Sequence, residues 1–591
     1  MKRFLLIAAF ALCWTQVSAQ TLYVPSGEYS SIQSAINDAN NGDTVVVSAG
    51  TYQENINFLG KAITVRSIDP NDPNVVAETI IDGNAPADSN FGSVVIFNSG
   101  EDTNSVLSGF TITGGTGSWL LIAWEFHGIY WNRCGGGVLC CNMSAPTISK
   151  NVFTGNAAGQ GGGIYVYGNP VNPNDPSNPP VHVRPVIAKN TFANNIASGA
   201  HGFPPPNNNY PNGDHGDGGA IVAFQGVDAT ITGNLIKNNH ADMYGGGIHL
   251  RQWSNSLIEN DRITDNDSAL GAGVHITYNS SPTVRNNLIK SNTAGDFGGG
   301  GIYVLQYSCP LIEHNVITEN ESTNGAGIYV AGTGCIATIR NNLIFNNVNG
   351  AGIRVKGTST ATIINNTLVG NTASPSYGGG VCCLTSSVIV IENNIIASNG
   401  SAYGIYLLNT KPPPVTKYNN VWGNGAGNYN AVIGDQTGIN GNISVDPCFV
   451  DLQGNDYHLK SNGWRWDVQS NQWFHDDTTS RCIDAGNPGY VLADELLFVP
   501  DDPNGQFSEN LRINMGAYGG TKEASLPPHN WAILADITNN GIVDLKDLVV
   551  FAQLWLKTGT NNPADFDRNG AVNFADFAAF ANDWLRQTSW Y

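Results

Sequence analysis

Nine times within residues 151–424 the chain repeats one block: Asn, four residues, Asn, a short polar stretch, a glycine cluster, and an alternating apolar strand opening with Ile or Val. Clear copies are Asn234/Asn239 before Gly245-Gly246-Gly247-Ile248, Asn287/Asn292 before Gly299-Gly300-Gly301-Ile302, and Asn315/Asn320 before Gly325-Ala326-Gly327-Ile328. Asn342/Asn347 before Ile353 and Asn366/Asn371 before Val381 continue the series. The period of about 24 to 28 residues is that of a solenoid, in which no repeat buries its apolar face alone and neighbours must stack. Alternation after each glycine cluster, as in Ile248/Leu250 and Ile302/Val304, sends every second side chain into one core. Asn at the corners is expected to tolerate left-handed backbone and to stack its amide coil upon coil.

These blocks resemble the right-handed parallel β-helix of the pectate-lyase-like superfamily, which implies an all-β solenoid and by itself says little about the reaction. Residues 21–66, with the amphipathic run around Ile32 and Ile36, read as an N-terminal cap over the open end. The wording Gly50-Thr51-Tyr52 and Gly60-Lys61-Ala62 is similar to the start of many secreted bacterial β-helix proteins.

Lys2 and Arg3, an apolar run and Val17-Ser18-Ala19 have the layout of a secretory signal over 1–19, so the expectation is an exported, extracellular or cell-surface protein. No later stretch has the apolar length of a membrane span. A formal net charge of -20 argues against nucleic acid as a partner and requires a bridging cation for any polyanionic substrate. Loss of Cys13 with the signal leaves an odd number of the 10 cysteines, so at least one is unpaired or bonds elsewhere. Cys309 and Cys335 share a register position and read equally as a disulfide or as stacked thiols.

The β-helix with its cap is read over 20–445. Three insertions at 116–134, 168–185 and 199–218 should wall one side of it. A closing segment follows at 446–526, where Cys482-Ile483-Asp484-Ala485-Gly486 and Arg512-Ile513-Asn514-Met515-Gly516 resemble the ending of exported β-helix proteins. Cys448 and Cys482 form a further candidate pair within it.

Residues 530–591 carry the firmest chemistry. Two loops start about 29 residues apart: Asp536, Thr538, Asn540, Ile542, Asp544 and Asp547, then Asp565, Asp567, Asn569, Ala571, Asn573 and Asp576, at positions 1, 3, 5, 7, 9 and 12. That spacing wraps hard oxygen ligands around Ca²⁺, with Gly541 and Gly570 making the sharp turn and the carbonyls of Ile542 and Ala571 filling position 7. Helices are expected over 548–556 and 577–585. Such duplicated loop-helix units resemble a dockerin, which implies two calcium ions and a cohesin-like partner. Thr538 and Asn540 lower the charge of the first loop, and apolar Leu545 and Phe574 depart from the polar recognition residues of cellulosomal dockerins.

On the glycine-led strand, register aligns Tyr165/Tyr167, Val222/Phe224, His249/Arg251, His275/Thr277, Tyr303/Leu305, Tyr329/Ala331 and Arg354/Lys356 as outward positions. This reads as an exposed stripe. Tyr165, Tyr167, Trp253, Tyr303, Tyr329, Arg354 and Lys356 would bind sugar rings and their charges, and His249, Arg251 and His275 would supply base, charge stabiliser and acid. The turn acids Asp217, Asp242, Asp267, Asp296 and Glu321 are candidates for one further calcium in the β-helix. The same stripe also reads as a ladder serving stability alone.

The sequence therefore points to a secreted β-helix protein that binds an extracellular polysaccharide and, by resemblance, cleaves it as a lyase. The alternative is a non-catalytic adhesion or recognition protein. A glycoside hydrolase would need paired carboxylates on adjacent coils, and the charged members of the stripe are cations.

Overall fold

The computed structural model describes residues 19–124, 128–168, 181–199, 216–296, 298–374, 377–384, 387–408, 412–498 and 509–591. The expected leader and most of the second and third insertions lie outside these residues.

The chain coils into three long parallel sheets of 14, 13 and 13 strands, each strand hydrogen-bonded to its counterpart one coil away. The first sheet runs from Thr21–Val24 to Val415–Lys417, the second from Gly50–Tyr52 to Asn420–Trp422, and the third from Ile56–Asn57 to Gly427–Tyr429. Register is kept from coil to coil: Ile187, Ile231, Ile258, Val284 and Ile312 stand in one line of the first sheet, and Ile221, Ile248, Val274, Ile302 and Ile328 in one line of the third. These lines meet in one continuous core. Each fully buried Ile contributes roughly 1.5–3 kcal/mol by its removal from water, so every added coil brings its own stabilisation.

The repeated Asn pair makes two internal ladders. Asn320 shows the unit: its Nδ2 donates to the Ile289 carbonyl at 2.9 Å and to Asn347 Oδ1 at 3.0 Å, while its Oδ1 accepts from the Asn292 backbone and side chain at 3.0 and 2.9 Å. Buried amides thus find all partners in the adjacent coils. The left-handed backbone, however, is not at the ladder Asn. It falls on the residue before it, as at Asn286, Ser291, His314, Glu319 and Asn341, because the ladder residue must keep a conformation that turns its side chain inward. Asp261 is the one ladder position with a carboxylate in place of the first amide.

At the N-terminal end, helix Ile32–Asp38 lays Ile32, Ala35 and Ile36 over the first coil, started by a capping box between Ser31 and Ser34. At the other end, the closing segment is bonded along the solenoid: Asn365 Nδ2 donates to the Asn514 carbonyl at 2.8 Å and Asn341 Nδ2 to that of Ala517 at 3.0 Å. The last loop-helix units dock onto this segment. Buried Arg512 donates to the carbonyls of Gly486 and Asp536, and Asn539 Nδ2 to those of Gly441 and Ala485.

All nine described cysteines are free thiols. The two candidate disulfides are not formed, since each sulfur is engaged locally. Cys309 and Cys335 donate to the carbonyls of Tyr307 and Ala331, Cys448 donates to that of Asp446, and Cys482 accepts from Asn420 Nδ2.

Candidate functional site

The outward residues of the third sheet do align. Tyr165, Val222, His249, His275, Tyr303, Tyr329, Arg354, Cys382 and Tyr406 are successive partners. His249 and His275 lie 4.7 Å apart by ring centroids, and Tyr303 and Tyr329 stack at 5.0 Å.

The stripe is nevertheless buried over most of its length, which corrects the expectation of exposure. Tyr165, Tyr167, His249, Arg251, His275, Tyr303 and Tyr329 are all 7% exposed or less. Two layers cover them. The aromatic insertion is an antiparallel hairpin of Gly117–Trp124 and Gly128–Cys134, packed through Ile122 and Tyr130 on Tyr165, Tyr167 and Phe224. Beyond it, the segments leading into the glycine clusters pair as an outer five-stranded sheet, including His240–Tyr244 and Asp267–Leu270 and ending at Thr293–Ala294. Tyr244 of this sheet stacks on His275 at 5.0 Å.

The glycine clusters are what let the chain cross its own ladder. At Gly271, with φ +68, a Cβ would lie 2.8 Å from that of His275 and 3.1 Å from that of Tyr303. At Gly325 it would lie 2.7 Å from the Cβ of Tyr329. Only a residue without a side chain passes this closely. This was the signal, present in the sequence, that the ladder is roofed.

Under the roof, Arg251 Nη1 pairs with Asp217 Oδ2 at 2.9 Å, and Gln160 Nε2 donates to the same oxygen at 3.2 Å. Phe224 and Tyr278 flank the guanidinium. None of the ring nitrogens of His249 and His275 has a hydrogen-bond partner among the described residues. Burial and the Arg251 charge lower His275 to about 3, and burial, His275 and Arg251 hold His249 well below its ordinary value. Both imidazoles are neutral at physiological pH. As placed, His249, Arg251 and His275 cannot touch a polymer.

The turn acids are divided among different partners, Asp242 and Asp267 alone sharing one. Asp217 is bound to Arg251, and His240 is held between Asp242 and Asp267 at 3.0 and 2.6 Å. Glu321 accepts from Asn349, and the Asp296 carbonyl accepts from Asn324. They do not converge on one point.

Three of the remaining stripe residues are reachable. Lys356 is exposed, Trp253 half-buried, and Arg354 lines a cleft of about 430 Å³ with Asn324, Asn349 and Tyr377. The sequence reading gave no weight to Tyr377, which stands outside the strand.

Convergence of carboxylates occurs instead in the C-terminal loops. Oxygens of Asp565, Asp567 and Asp576 lie within 4.8 Å of one another, the one such acidic or imidazole cluster among the described residues. Gly541 and Gly570, with φ of +95 and +93, make the turns. The helices run over Leu545–Leu554 and Phe574–Asn582, starting three residues earlier than expected, because Asp544 and Asn573 at position 9 are their N-caps and Asp547 and Asp576 close the capping boxes. In the first loop the Thr538 hydroxyl donates to Asp547 Oδ1 at 2.9 Å, and burial, with Asp547 nearby, pushes Asp536 up to about 6. Each loop carries three carboxylates; those of the second converge as the donor set of a hard cation does, whereas in the first one carboxylate is already satisfied by a hydroxyl. The paired helices expose Leu545, Val549, Phe574 and Phe577 beside an apolar groove of about 290 Å³.

The right-handed β-helix region family matches residues 137–344 and 298–447, together more than half of the 591 residues. No curated protein sequence matches. Among solved structures, the PL6 family alginate lyase AlyGC is similar at 13% identity and a TM-score of 0.36, over 72% of this chain and 53% of its own. The pectate lyase Pel9A is similar at 14% identity and a TM-score of 0.30, over 85% of this chain and 97% of its own. This chain thus matches about half the length of the alginate lyase. No described helix is long and apolar enough to cross a membrane.

Proposed function

This chain belongs to the right-handed β-helix family, and from that premise we propose that it is an exported protein that recognises an extracellular polysaccharide on its coil surface and is held to a partner by a calcium-organised, dockerin-like C-terminal module. The observation that carries this is the acidic cluster of Asp565, Asp567 and Asp576 beside an exposed apolar helix face. An ion of high charge density would draw those carboxylates together and fix the helix that starts at Phe574. Phe574 and Leu545 are 78% and 65% exposed, and apolar surface of that kind is ordinarily covered by a protein partner, here a cohesin-like one. Ligands of the first ion would be Asp536, Thr538, Asn540, Asp544 and Asp547, with the Ile542 carbonyl; of the second, Asp565, Asp567, Asn569, Asn573 and Asp576, with that of Ala571.

Calorimetry with Ca²⁺ on the full chain tests the metal, with binding at the second loop tighter than at the first. Titration with a panel of neutral and uronate polysaccharides tests recognition. A chain that takes up neither calcium nor any polysaccharide refutes the proposal.

A second reading, cleavage by β-elimination, is favoured by the four ring nitrogens of His249 and His275, none of them hydrogen-bonded, next to Arg251. Neutral imidazoles and a fixed guanidinium are the base and charge stabiliser that abstraction of a proton beside a carboxylate requires. The roof strand His240–Tyr244 would have to open. New double bonds on a uronate polymer, lost in His249→Ala and His275→Ala, would establish this reading; an unchanged ultraviolet absorbance across the panel removes it.

A further inference from the structure

The last strand of the outer sheet is Thr293–Ala294, its line continued by single bridges to Glu321 and Val348, and the ladder residue one coil past Tyr329 is Arg354. It stands between Tyr329 and Cys382 on adjacent coils. Its side chain is 7% exposed, yet no carboxylate lies within ion-pair distance among the described residues, and its Nε has no hydrogen-bond acceptor. Two aromatic faces flank it, Tyr329 at 5.6 Å and Tyr377 at 5.4 Å from the guanidinium carbon. Arg251, on the neighbouring ladder under the roof, has Asp217 at 2.9 Å. A buried guanidinium Nε without an acceptor is costly, and this side chain lines the cleft of about 430 Å³.

We infer that the Arg354–Tyr377 cleft is a binding site for a saccharide unit bearing a single oxyanion, a carboxylate or a sulfate ester, which the guanidinium receives directly while Tyr377 packs on the ring. This deepens the recognition reading above and rests on it. The guanidinium fork matches a planar or tetrahedral oxyanion. Tyr377, 38% exposed and edge-on to Tyr406 at 6.2 Å, offers a supported aromatic face to a sugar. Asn324 and Asn349, whose amide nitrogens already donate to the Asp296 carbonyl and to Glu321, sit at the rim with oxygens that can accept from hydroxyls. One cation in a protein of net charge -20 suits a ligand of one or few charges rather than a dense polyanion, which the rest of the surface would repel.

The test is ligand-observed NMR and calorimetry on the full chain with galactose, glucuronate and galactose 6-sulfate, repeated for Arg354→Gln and Tyr377→Ala. Binding of one or both acidic sugars but not of galactose is expected, the stronger arm separating sulfate from carboxylate. Arg354→Gln should weaken it about tenfold or more, as loss of a charge-assisted bond does. Tyr377→Ala, a change in an exposed loop residue, should also weaken it and guards against a fold defect in Arg354→Gln. Equal binding of galactose, or acidic-sugar affinity unchanged in both variants, overturns the assignment. If no acidic sugar binds while a neutral polysaccharide does, the assignment falls and the recognition reading stands; if nothing binds, both fall.

Discussion

Replacing Asp261 by Asn alters one atom of a buried ladder and should stabilise the protein in a strongly pH-dependent way. Asp261 Oδ1 accepts from the backbone and side chain of Asn234 at 2.6 and 2.9 Å, and its own N–H donates to Asn287 Oδ1 at 2.9 Å. Its Oδ2 has no partner. In the coils on either side, the corresponding atom is an amide nitrogen donating to the core carbonyl one coil back and to the next Oδ1, as Asn287 Nδ2 does to Ile258 and Asn315. By that register Oδ2 of Asp261 faces two acceptors, the Ile231 carbonyl and Asn287 Oδ1. Burial raises its pKa to about 7, against the bonds from Asn234 that lower it. Because the folded value lies above the unfolded value of about 3.9, the folded chain holds the extra proton, and stability falls as pH rises between those values. About three units at 1.36 kcal/mol each give a loss of roughly 4 kcal/mol. Asp261→Asn escapes that loss and adds a second donated bond worth about 1 kcal/mol. Its advantage should thus be about 1 kcal/mol at pH 4 and about 5 kcal/mol at pH 8. Denaturant unfolding followed by circular dichroism at both pH values measures this. An advantage that does not change with pH, or a variant less stable than the parent at pH 8, refutes the reasoning.

Three further predictions concern other parts of the chain. Gly271→Ala forces a Cβ at φ +68 to within 2.8 Å of that of His275 and should cost about 3 kcal/mol in denaturant unfolding, whereas an exposed Gly100→Ala, with open space around it, should cost no more than about 1–2 kcal/mol from its positive φ alone. Asp576→Ala removes one of three converging carboxylates and the cap partner of Asn573, so calorimetry should lose the tighter calcium site and thermal melting should fall by an amount corresponding to about 1 kcal/mol or more. His458 is held between Asp456 at 2.6 Å and Glu523 at 3.3 Å; burial lowers its pKa, but the bonds to both carboxylates outweigh this and raise it. The clamp therefore stabilises fully below the unfolded pKa of about 6.5 and fades as pH rises through the higher folded value, so the deficit of His458→Gln, about 2 kcal/mol at pH 6, should shrink by pH 9.

The coil register was readable because the repeat states it many times over: the same offset from Asn to glycine to Ile recurs, and only one stacking satisfies all copies. The sharp turns at Gly541 and Gly570 were readable because loop spacing is a local property of a dozen residues. Burial of His249 and His275 was not readable from alternation, which says which side of a strand a residue takes and nothing about what lies over that side. The cover comes from segments such as His240–Tyr244, whose composition is that of an ordinary turn. Gly245 and Gly271 carried the missing information, but as a demand for close approach that acquires a meaning only once the crossing chain is known. The role given to the ladder Asn was right in its amide stacking and displaced by one residue in its backbone, since the inward side chain and the left-handed turn cannot be the same position.

In coils such as those of His240–Tyr244 and Asp267–Leu270, the spacer between the second ladder Asn and the glycine cluster forms the roof, outside the Ile-lined core. In the sequence the corresponding stretch has four residues between Asn266 and Gly271 and five between Asn239 and Gly245. Insertions or deletions there leave both the amide ladders and the core lines intact. Such a chain can therefore vary, coil by coil, which stretch of its outer ladder is open to the surroundings, and the variation is almost independent of the fold's stability. A lineage carrying this architecture can shift or widen its contact surface along the solenoid by small length changes alone, while point substitutions in the ladder decide what the opened stretch receives.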